Sequence, residues 1–187
     1  TVMVTGAGGS IGSELARQII QHKPKKIILL EQSEYFLYKI DNEVSNIDKI
    51  KNKDIELKSY LGSVTDDDFV SNIFKSEMID TVYHAAANKH VPLVEHNPIS
   101  AIKTNIFGTK VVAENALANN IENFVLISSD KAVRPTNIMG ATKRFAELIL
   151  QSMQDKVDKM PSNECKTKFC MVRFGNVLDT SGSVVPL

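Results

Sequence analysis

The segment VMVTGAGGSIGSELARQI, residues 2–19, decides the fold of this chain. Its first four residues are typical of a buried strand, and the apolar residues after the glycines recur at helical spacing. Three glycines stand three residues apart in between, so backbone N–H groups can approach a pyrophosphate at the helix N-terminus. The segment predicts a dinucleotide site formed by Gly6, Gly9, Ser10, Ile11 and Gly12.

Glu31 closes the second predicted strand, 19 residues after Gly12. A carboxylate at this point accepts hydrogen bonds from the adenosine ribose hydroxyls and repels the 2′-phosphate of NADP. No arginine follows it closely to neutralise such a phosphate. The pattern therefore predicts NAD as the cofactor rather than NADP.

Short β-branched runs alternate with helical patterns along the whole chain. Six strands joined by helices predict a parallel sheet covered on both faces, an α/β fold of the doubly wound Rossmann type. We expect one NAD-binding Rossmann domain over residues 1–187, as a fragment of a longer protein. The predicted strands are Val2–Thr5, Lys26–Leu30, Glu56–Tyr60, Thr81–His84, Asn123–Ser128 and Phe169–Arg173.

Three of the helical segments carry apolar residues on one side, which we expect to face the sheet. The third of them is predicted to run from about Met139 to Gln154. The expected inward-facing residues are Ile11, Leu15 and Ile19 in the first helix, Ile99, Ile102, Ile106 and Ala113 in the second, and Phe145, Leu148 and Ile149 in the third.

The composition argues against several classes of function. Twenty-two basic and 22 acidic residues cancel, so no global field attracts nucleic acid or anionic lipid. The apolar runs are too short to cross a bilayer. Cys165 and Cys170 are too few for a structural zinc site, and the spacing of His84, His90 and His96 fits no metal motif. We expect a cytoplasmic chain without a metal.

Small residues follow the third and fourth predicted strands, at the sheet edge where ligands of open α/β folds bind. Ser63 and Val64 are expected to contact the adenine. Ala85, Ala86 and Ala87 are expected to leave room for the ribose and the pyrophosphate, although close packing between helix and sheet would select the same residues.

Charged residues follow the fifth predicted strand, where the nicotinamide is expected. This strand ends in Ser128–Lys131, and Met139 and Lys143 follow one helical turn apart on a shared face. A tyrosine four residues before a lysine is a common oxidoreductase spacing, but the thioether of Met139 takes no proton. Core packing of Met139, a solvated Lys143 and an exposed Asp130–Lys131 pair are the alternatives.

Five stretches together resemble the extended short-chain dehydrogenase/reductases. Within them, the chain looks like the UDP-N-acetylglucosamine 4,6-dehydratases of the polysaccharide-biosynthesis branch, and the resemblance covers nearly its whole length. The stretches are TGAGGSIGSELARQI (5–19), VYHAAANKHVPLVEHNP (82–98), KTNIFGTKVVAENA (103–116), SSDKAVRPTNIMGATKR (128–144) and VRFGNVLDTSGSVVPL (172–187).

This resemblance implies what the residues after the fifth predicted strand do chemically. In such enzymes a hydride leaves carbon 4 of the sugar for the cofactor, water is lost across carbons 5 and 6, and the hydride returns to carbon 6. By resemblance Asp130 protonates the leaving 6-hydroxyl, Lys131 is the base near carbon 5, and Lys143 holds the nicotinamide ribose. Ser129 belongs to the same catalytic group, without a tyrosine partner to activate it.

Met139 indicates a subgroup of this branch. Short members carry tyrosine at this position, whereas longer members, which have an N-terminal membrane region, resemble this chain in carrying methionine. The resemblance therefore implies a membrane-anchored parent protein. Without a phenolate the carbon-4 proton passes to Asp130, Lys131 or an ordered water, and the sequence leaves the choice open.

Other residues are assigned by the same resemblance. Asn105 is expected to shape the active-site helix and the cofactor pocket, and Lys89 and His90 are expected to contact either the sugar or the nicotinamide side. Arg173 and Asn176 are placed near the nucleotide-sugar phosphates, with an ion pair at the strand end as the equal alternative for Arg173. The C-terminal substrate lobe, which would follow residue 187, is largely absent, so uridine recognition is not visible.

Two other functions compete with the dehydratase. A nucleotide-sugar 4-epimerase shares the cofactor site but does not need the Asp130–Lys131 pair. A non-catalytic NAD-binding sensor or scaffold would account for Met139. The dehydratase is favoured, with UDP-N-acetylglucosamine or a related nucleotide sugar as substrate, a role in capsule, lipopolysaccharide or other glycan biosynthesis, and a homo-oligomeric state.

Overall fold

The computed structural model describes residues 1–52, 54–161 and 164–177. Within these residues six strands form one parallel sheet in the order β3-β2-β1-β4-β5-β6. The order reverses direction after β1, as in a doubly wound Rossmann sheet, so the predicted fold class is confirmed. The strands are β1 Val2–Thr5, β2 Lys26–Glu31, β3 Glu56–Leu61, β4 Thr81–His84, β5 Asn123–Ser129 and β6 Lys168–Phe174.

Helices connect the strands and cover both faces of the sheet. The α-helices are α1 Ser10–Gln21, α2 Glu34–Ser45, α3 Asp48–Lys51, α4 Asp67–Glu77, α5 Val91–His96, α6 Pro98–Ala101, α7 Thr109–Ala118 and α8 Ile138–Val157. A π-helical turn, Ile102–Gly108, joins α6 to α7, and a 3-10 turn, Asp130–Ala132, follows β5. None of the helices in the described ranges is long and apolar enough to span a membrane.

The core consists of two apolar layers, one on each face of the sheet. In β2, Ile28 and Leu30 belong to the layer under α4, α7 and α8, while Ile27 and Leu29 belong to the layer under α1 and α2. All four side chains are fully buried, because successive side chains of a strand point to opposite faces. Burial of each such side chain contributes about 1.5–3 kcal/mol, which explains why β2 is a continuous hydrophobic run.

The predicted apolar side of the third helix was wrong for two residues. Phe145 is 56% exposed and Leu148 is 44% exposed, whereas Ile149 is partly buried against the core. The face of α8 that meets the sheet instead carries Ala146 and Glu147. A small residue permits close approach to the sheet, and the glutamate is held there by partners from other elements, so side-chain hydrophobicity alone does not define this face.

The π-helical turn explains why the predicted apolar face of the second helix was wrong at Ile99. Ile99 is 63% exposed, while Ile102 and Ile106 are partly buried and Ala113 is fully buried. A π-helical turn contains more residues than an α-helical turn, so the face that contacts the core shifts along the helix. Extrapolating one 3.6-residue period from Ile99 through the turn was therefore wrong.

A buried carboxylate lies at the end of the sheet where the strands begin. Glu77, at the end of α4, accepts hydrogen bonds from Lys26 at 2.9 Å, Lys58 at 2.8 Å and the Tyr60 hydroxyl at 2.5 Å. Burial alone would raise the pKa of Glu77, but these three donors outweigh it and hold the pKa at about 2. We call these four residues the Glu77 cluster.

Candidate active site

A cavity of about 950 Å³ opens at the carboxyl ends of the strands. Its walls come from the glycine turn, the ends of β2, β4 and β5, the helix α5 and the start of α8. The predicted site residues that line it are Gly6, Gly9, Ser10, Ile11, Gly12, Glu31, Val64, Ala85, Ala86, Ala87, Lys89, His90, Ser129, Lys131, Met139, Lys143 and Asn176. Ser63, Asn105, Asp130 and Arg173 do not belong to the lining.

The glycine turn leaves no room for a side chain at several of its positions, as Gly6 and Gly12 show. Gly6 has a φ of 63°, and a Cβ there would overlap the backbone of Ala86. A Cβ on Gly12 would overlap the carbonyl group of Gly6. The turn therefore brings β1, α1 and the loop after β4 into direct backbone contact. This close approach leaves the N-terminus of α1 facing the cavity, where an anion is favoured.

Glu31 lines the cavity and also stabilises the glycine turn through hydrogen bonds. Its carboxylate accepts backbone N–H groups from Gly8 at 3.1 Å, Gln32 at 2.9 Å and Ser33 at 3.0 Å. The side chain thus joins the end of β2 to the turn after β1. Sequence reasoning assigned Glu31 to the ribose alone and missed this link, because it depends on which backbone group the fold brings close.

The adenine end of the cavity differs in part from the expectation. Val64 is buried and lines the cavity. Ser63 lies outside the lining, where its hydroxyl contacts the hydroxyl of Thr65 at 2.8 Å and accepts from the Thr65 backbone at 3.2 Å. Ser63 therefore stabilises the turn after β3, and the structure does not bring it to the cavity wall.

Asn105 holds the loop after β4 from behind. Its side-chain oxygen accepts from the backbone N–H of Asn88 at 2.8 Å, and its amide donates to the Asn88 carbonyl at 3.0 Å. The same amide donates to Thr142 of α8 at 2.9 Å. Asn105 is 1% exposed, so it shapes the cavity wall without lining it.

Lys143 is a buried cation at the cavity floor. Its Nζ donates to the carbonyl oxygen of Ile127 at 2.6 Å, and the residue is only 6% exposed. Burial lowers the pKa of Lys143 to about 8, although the negative charge of Glu147 acts in the opposite direction. An ammonium carries three N–H donors, which allows Lys143 to bind a ligand in the cavity while it holds Ile127.

Asp130 and Lys131 occupy the 3-10 turn directly after β5. Lys131 Nζ donates to Asp130 at 3.2 Å and to Asn176 at 3.0 Å, and the Ser129 hydroxyl donates to Asp130 at 3.0 Å. The hydrogen bonds from Lys131 and Ser129 lower the pKa of Asp130, so this carboxyl group is ionised near neutral pH. An acid role for Asp130 therefore requires that a bound substrate replaces these contacts and raises its pKa.

Met139 lies one turn before Lys143, as the spacing predicted. It is 3% exposed and packs against Val94 and Ala101 in a small apolar cluster that borders the cavity. The next residue, Gly140, lies against the carbonyl oxygen of Lys131, where a Cβ would overlap it. Glycine at this position therefore allows α8 to approach the turn that carries Lys131.

A second buried carboxylate lies on α8 and contacts the ends of β5 and β6. Glu147 is fully buried and accepts from Ser128 at 2.7 Å, from Arg144 at 2.9 Å and from two nitrogens of Arg173 at 2.8 and 2.7 Å. Burial alone would raise the pKa of Glu147, but Arg173, Ser128 and Arg144 hold it at about 2. We call these four residues the Glu147 cluster.

The sequence left open whether Arg173 contacts the nucleotide-sugar phosphates or forms an ion pair at the strand end. The Glu147 cluster favours the ion pair. Arg173 forms the ion pair at the strand end and does not line the cavity. Sequence reasoning did not identify Glu147. Its position four residues after Lys143, on the same helix face, was the available signal.

The cations that line the cavity are Lys89, Lys131 and Lys143, and Glu31 lies with the glycine turn at the other end. Burial lowers the pKa of Lys89. An anionic ligand with two ends, one near the glycine turn and one near the lysines, would fit this distribution of charge. Among the described residues, no group of three His, Cys, Asp or Glu side chains is arranged to hold a metal ion.

The strand order and the cavity at the carboxyl ends of the strands define a Rossmann-type protein. A family model described as "Polysaccharide biosynthesis protein" matches residues 2–187. The chain belongs to this family.

Three curated relatives illustrate the range of the family. "Probable polysaccharide biosynthesis protein EpsC" of Bacillus subtilis is 51% identical over the whole chain, which spans 29% of its length. A UDP-N-acetylglucosamine 4,6-dehydratase (inverting) of Campylobacter jejuni is 32% identical over 99% of the chain, which spans 51% of it. A UDP-glucose 4-epimerase of Rickettsia bellii is 33% identical over the whole chain, which spans 52% of it.

Solved structures share the architecture. Pen from Bacillus thuringiensis is 36% identical and superposes with a TM-score of 0.86 over 99% of this chain and 53% of its own. A dTDP-glucose 4,6-dehydratase, DesIV from Streptomyces venezuelae with NAD bound, is 18% identical, with a TM-score of 0.74 over 92% of this chain and 55% of its own. At that identity the second likeness concerns the fold alone.

Proposed function

We propose that this chain is the NAD-binding part of a nucleotide-sugar 4,6-dehydratase that acts on UDP-N-acetylglucosamine in polysaccharide biosynthesis. The observation that carries the proposal is the Asp130–Lys131 pair directly after β5, whose Lys131 lines the same cavity as the buried Lys143. An acid and a base on consecutive residues suit the loss of water from adjacent carbons. The family and the relative named as a 4,6-dehydratase support the same conclusion.

NAD is the cofactor that the cavity fits best. The glycine turn and the N-terminus of α1 would hold the pyrophosphate, and Glu31 would face the adenosine ribose. The neighbour that contains NAD supports this assignment. When bound, NAD would accept a hydride from carbon 4 of the sugar and return it to carbon 6.

The residues of this chain would carry out the proton transfers. Lys131 would take the proton from carbon 5, which is acidic beside the carbon-4 ketone. The electron pair left on carbon 5 forms the carbon 5–carbon 6 double bond as the 6-hydroxyl leaves. Asp130, protonated once bound substrate has replaced its contacts with Ser129 and Lys131, would give that hydroxyl its proton, so water departs. Lys131 would return its proton to carbon 5 when the hydride reaches carbon 6, and Lys143 would orient the nicotinamide ribose. Ser129 would hold Asp130 in place before the substrate binds.

Met139 takes no part in proton transfer in this scheme. Its thioether is surrounded by Val94 and Ala101, and it would limit the space beside Lys143. The proton of the hydroxyl group on carbon 4 would go to Asp130, Lys131 or an ordered water. Lys89, His90 and Asn176 line the cavity where the sugar diphosphate would lie, so they are the proposed substrate contacts.

A nucleotide-sugar 4-epimerase is the second candidate, since relatives named as epimerases are about as similar to the chain as the named dehydratase. Mass spectrometry of UDP-N-acetylglucosamine incubated with the full-length protein and NAD separates the two. We expect a product lighter by one water. An isomer of unchanged mass would identify an epimerase, and NAD binding without turnover would identify the sensor or scaffold.

The state of the whole protein is a separate proposal. We propose a homo-oligomer whose parent protein is anchored in the membrane, with this domain on the cytoplasmic side. Cell fractionation and light scattering of the detergent-solubilised full-length protein test both statements. Recovery of a monomer from the soluble fraction would contradict them.

A further inference from the structure

Buried polar side chains form a continuous chain beneath the loop that follows β4. Oγ1 of Thr5 lies 2.7 Å from Nδ1 of His84, and Nε2 of His84 lies 3.0 Å from Oγ1 of Thr109. Thr109 in turn donates to the carbonyl oxygen of Asn105 at 2.7 Å. All four residues are at most 1% exposed. The chain thus connects β1, β4 and the π-helical turn without access to solvent.

The hydrogen atoms of this chain have one consistent arrangement. A carbonyl oxygen only accepts, so the hydroxyl hydrogen of Thr109 points to Asn105 and its oxygen accepts from Nε2–H of His84. Burial and the positive charge of Lys143 lower the pKa of His84 to about 3, so the imidazole is neutral and carries one N–H. Its Nδ1 is then the acceptor of the Thr5 hydroxyl.

Both ends of the chain hold the loop after β4. At one end the Thr5 oxygen accepts from the backbone N–H of Ala86 at 3.4 Å. At the other end Asn105 exchanges two hydrogen bonds with the backbone of Asn88. The hydrogen bonds and the loop therefore form a closed ring, and His84 is the residue that joins its two sides.

The held loop is part of the cavity wall. Ala85, Ala86, Ala87 and Asn88 all line the cavity. The backbone of Ala86 lies against Gly6, where even a Cβ would not fit. A small displacement of this loop would therefore change the shape of the glycine turn itself.

We propose that His84, as the Nε2–H tautomer, is a positioning residue for the dinucleotide: it joins Thr5 to Thr109 and so holds the loop after β4 against the glycine turn. The inference rests on the proposed NAD site. It extends that proposal by assigning an effect on cofactor affinity to a side chain that does not reach the cavity.

The tautomer is tested in the unmodified protein by nitrogen NMR with labelled histidine. The chain has four histidines, and His84 is identified by the signal that disappears in a His84→Asn variant. We expect a protonated Nε2 and an unprotonated Nδ1 that stay unchanged from pH 5 to pH 8. An Nδ1–H tautomer, or titration of His84 in this range, would overturn the proposal.

The positioning role is tested by two variants that each remove the hydrogen bond between His84 and Thr109. In His84→Asn the side-chain oxygen can still accept from Thr5 but does not reach Thr109, and Thr109→Val removes the other partner of that bond. Each change is expected to weaken NAD binding about tenfold, as measured by calorimetry, with the double variant no weaker than either. His22→Asn, at the exposed end of α1, is the matched control and should bind NAD like the unmodified protein.

Multiplied effects in the double variant, or unchanged affinity in both folded single variants, would contradict the positioning role. If His84→Asn does not fold, the His84 signal is identified as the one that remains after the signals lost in His22→Asn, His90→Asn and His96→Asn are assigned, and Thr109→Val then tests the link. Failure of the proposed function is a different result, in which NAD binds and responds to these changes while no sugar is dehydrated.

Discussion

The Glu77 and Glu147 clusters have the same chemistry at opposite ends of the sheet. Each contains a buried carboxylate with two cations and one hydroxyl donor, and each carboxyl pKa lies at about 2. The Glu77 cluster joins α4 to the start of β2 and to Lys58 and Tyr60 of β3, away from the cavity. The Glu147 cluster joins α8 to the ends of β5 and β6, directly below Asp130 and Lys131.

The comparison distinguishes a cluster that only stabilises the fold from one that also positions residues of the candidate active site. Ser128 belongs to the Glu147 cluster, and its neighbours Ile127 and Ser129 contact Lys143 and Asp130. Ile127 and Ser128 are thus held by side chains of α8, and Ser129 contacts the 3-10 turn that carries Asp130. The Glu77 cluster has no such neighbours among the residues that line the cavity.

The largest effect on activity is expected at Asp130. In Asp130→Asn the acid is lost, so dehydration by the full-length protein should fall about a hundred- to ten-thousand-fold. NAD affinity and melting temperature should stay unchanged, since the Asp130 side chain is 56% exposed. Mass spectrometry of the product, calorimetry and thermal unfolding check the three quantities. Unchanged dehydration would exclude Asp130 as the acid.

The second prediction compares the two clusters directly. Glu77→Ala and Glu147→Ala each leave cations without their buried partner, so each should lower the free energy of unfolding by about 3 kcal/mol. Conservative Glu77→Gln and Glu147→Gln variants should retain enough stability for kinetics. Turnover at saturating substrate should fall about tenfold in Glu147→Gln alone. An equal loss of turnover in Glu77→Gln would mean that stability, not position, limits activity.

The third prediction concerns acid pH and applies to both clusters. The pKa of each carboxyl group is about 2 in the folded chain and 4.5 as the reference value, so the unfolded chain binds more protons between these limits. Stability should therefore be fully present above pH 4.5 and fall as the pH decreases toward 2, by at most about 3 kcal/mol for each group. Urea unfolding at a series of pH values measures this slope. It should be shallower in both glutamine variants, and a slope that neither change reduces would contradict these pKa values.

The fourth prediction concerns Glu31, whose carboxylate faces the cavity and holds Gly8. Glu31→Ala should weaken NAD binding about tenfold or more through lost hydrogen bonds, and NADP binding less, because charge repulsion is relieved. Glu31→Gln removes the charge and one of the two acceptor oxygens, so NAD binding should weaken less than in Glu31→Ala while NADP binding improves. Calorimetry with both cofactors measures the ratio. Equal affinities of the unmodified protein for NAD and NADP would exclude this role for Glu31.

The smallest effect is expected at Met139. Met139→Leu nearly conserves volume, so the free energy of unfolding should change by less than about 1.5 kcal/mol and turnover should stay within a few-fold. A loss of turnover comparable to that of Asp130→Asn, in a folded protein that still binds NAD, would mean that the thioether has a chemical role.

The sequence predicted features that depend on local patterns. The strands were found because buried parallel strands are continuous apolar runs, and the glycine turn because its spacing reflects backbone geometry. The supports of the site were not predicted, because they join residues far apart in the chain, such as Glu147 with Arg173 and His84 with Thr5. Phe145 and Leu148 were misplaced because apolar character alone did not indicate which face of α8 meets the sheet.

The π-helical turn has a consequence for how this region tolerates changes in length. In a regular helix each residue rotates the next by about 100°, so one residue more or less turns everything beyond it by that angle. The turn at Ile102–Gly108 absorbs such an offset: Thr104 faces the cavity, while Val112 and Ala116 face the core. Deleting the exposed Lys103 would remove the extra residue, so the helix would become regular while α7 keeps its rotation and its packing. A one-residue deletion is therefore expected to be tolerated better in this turn than within α7.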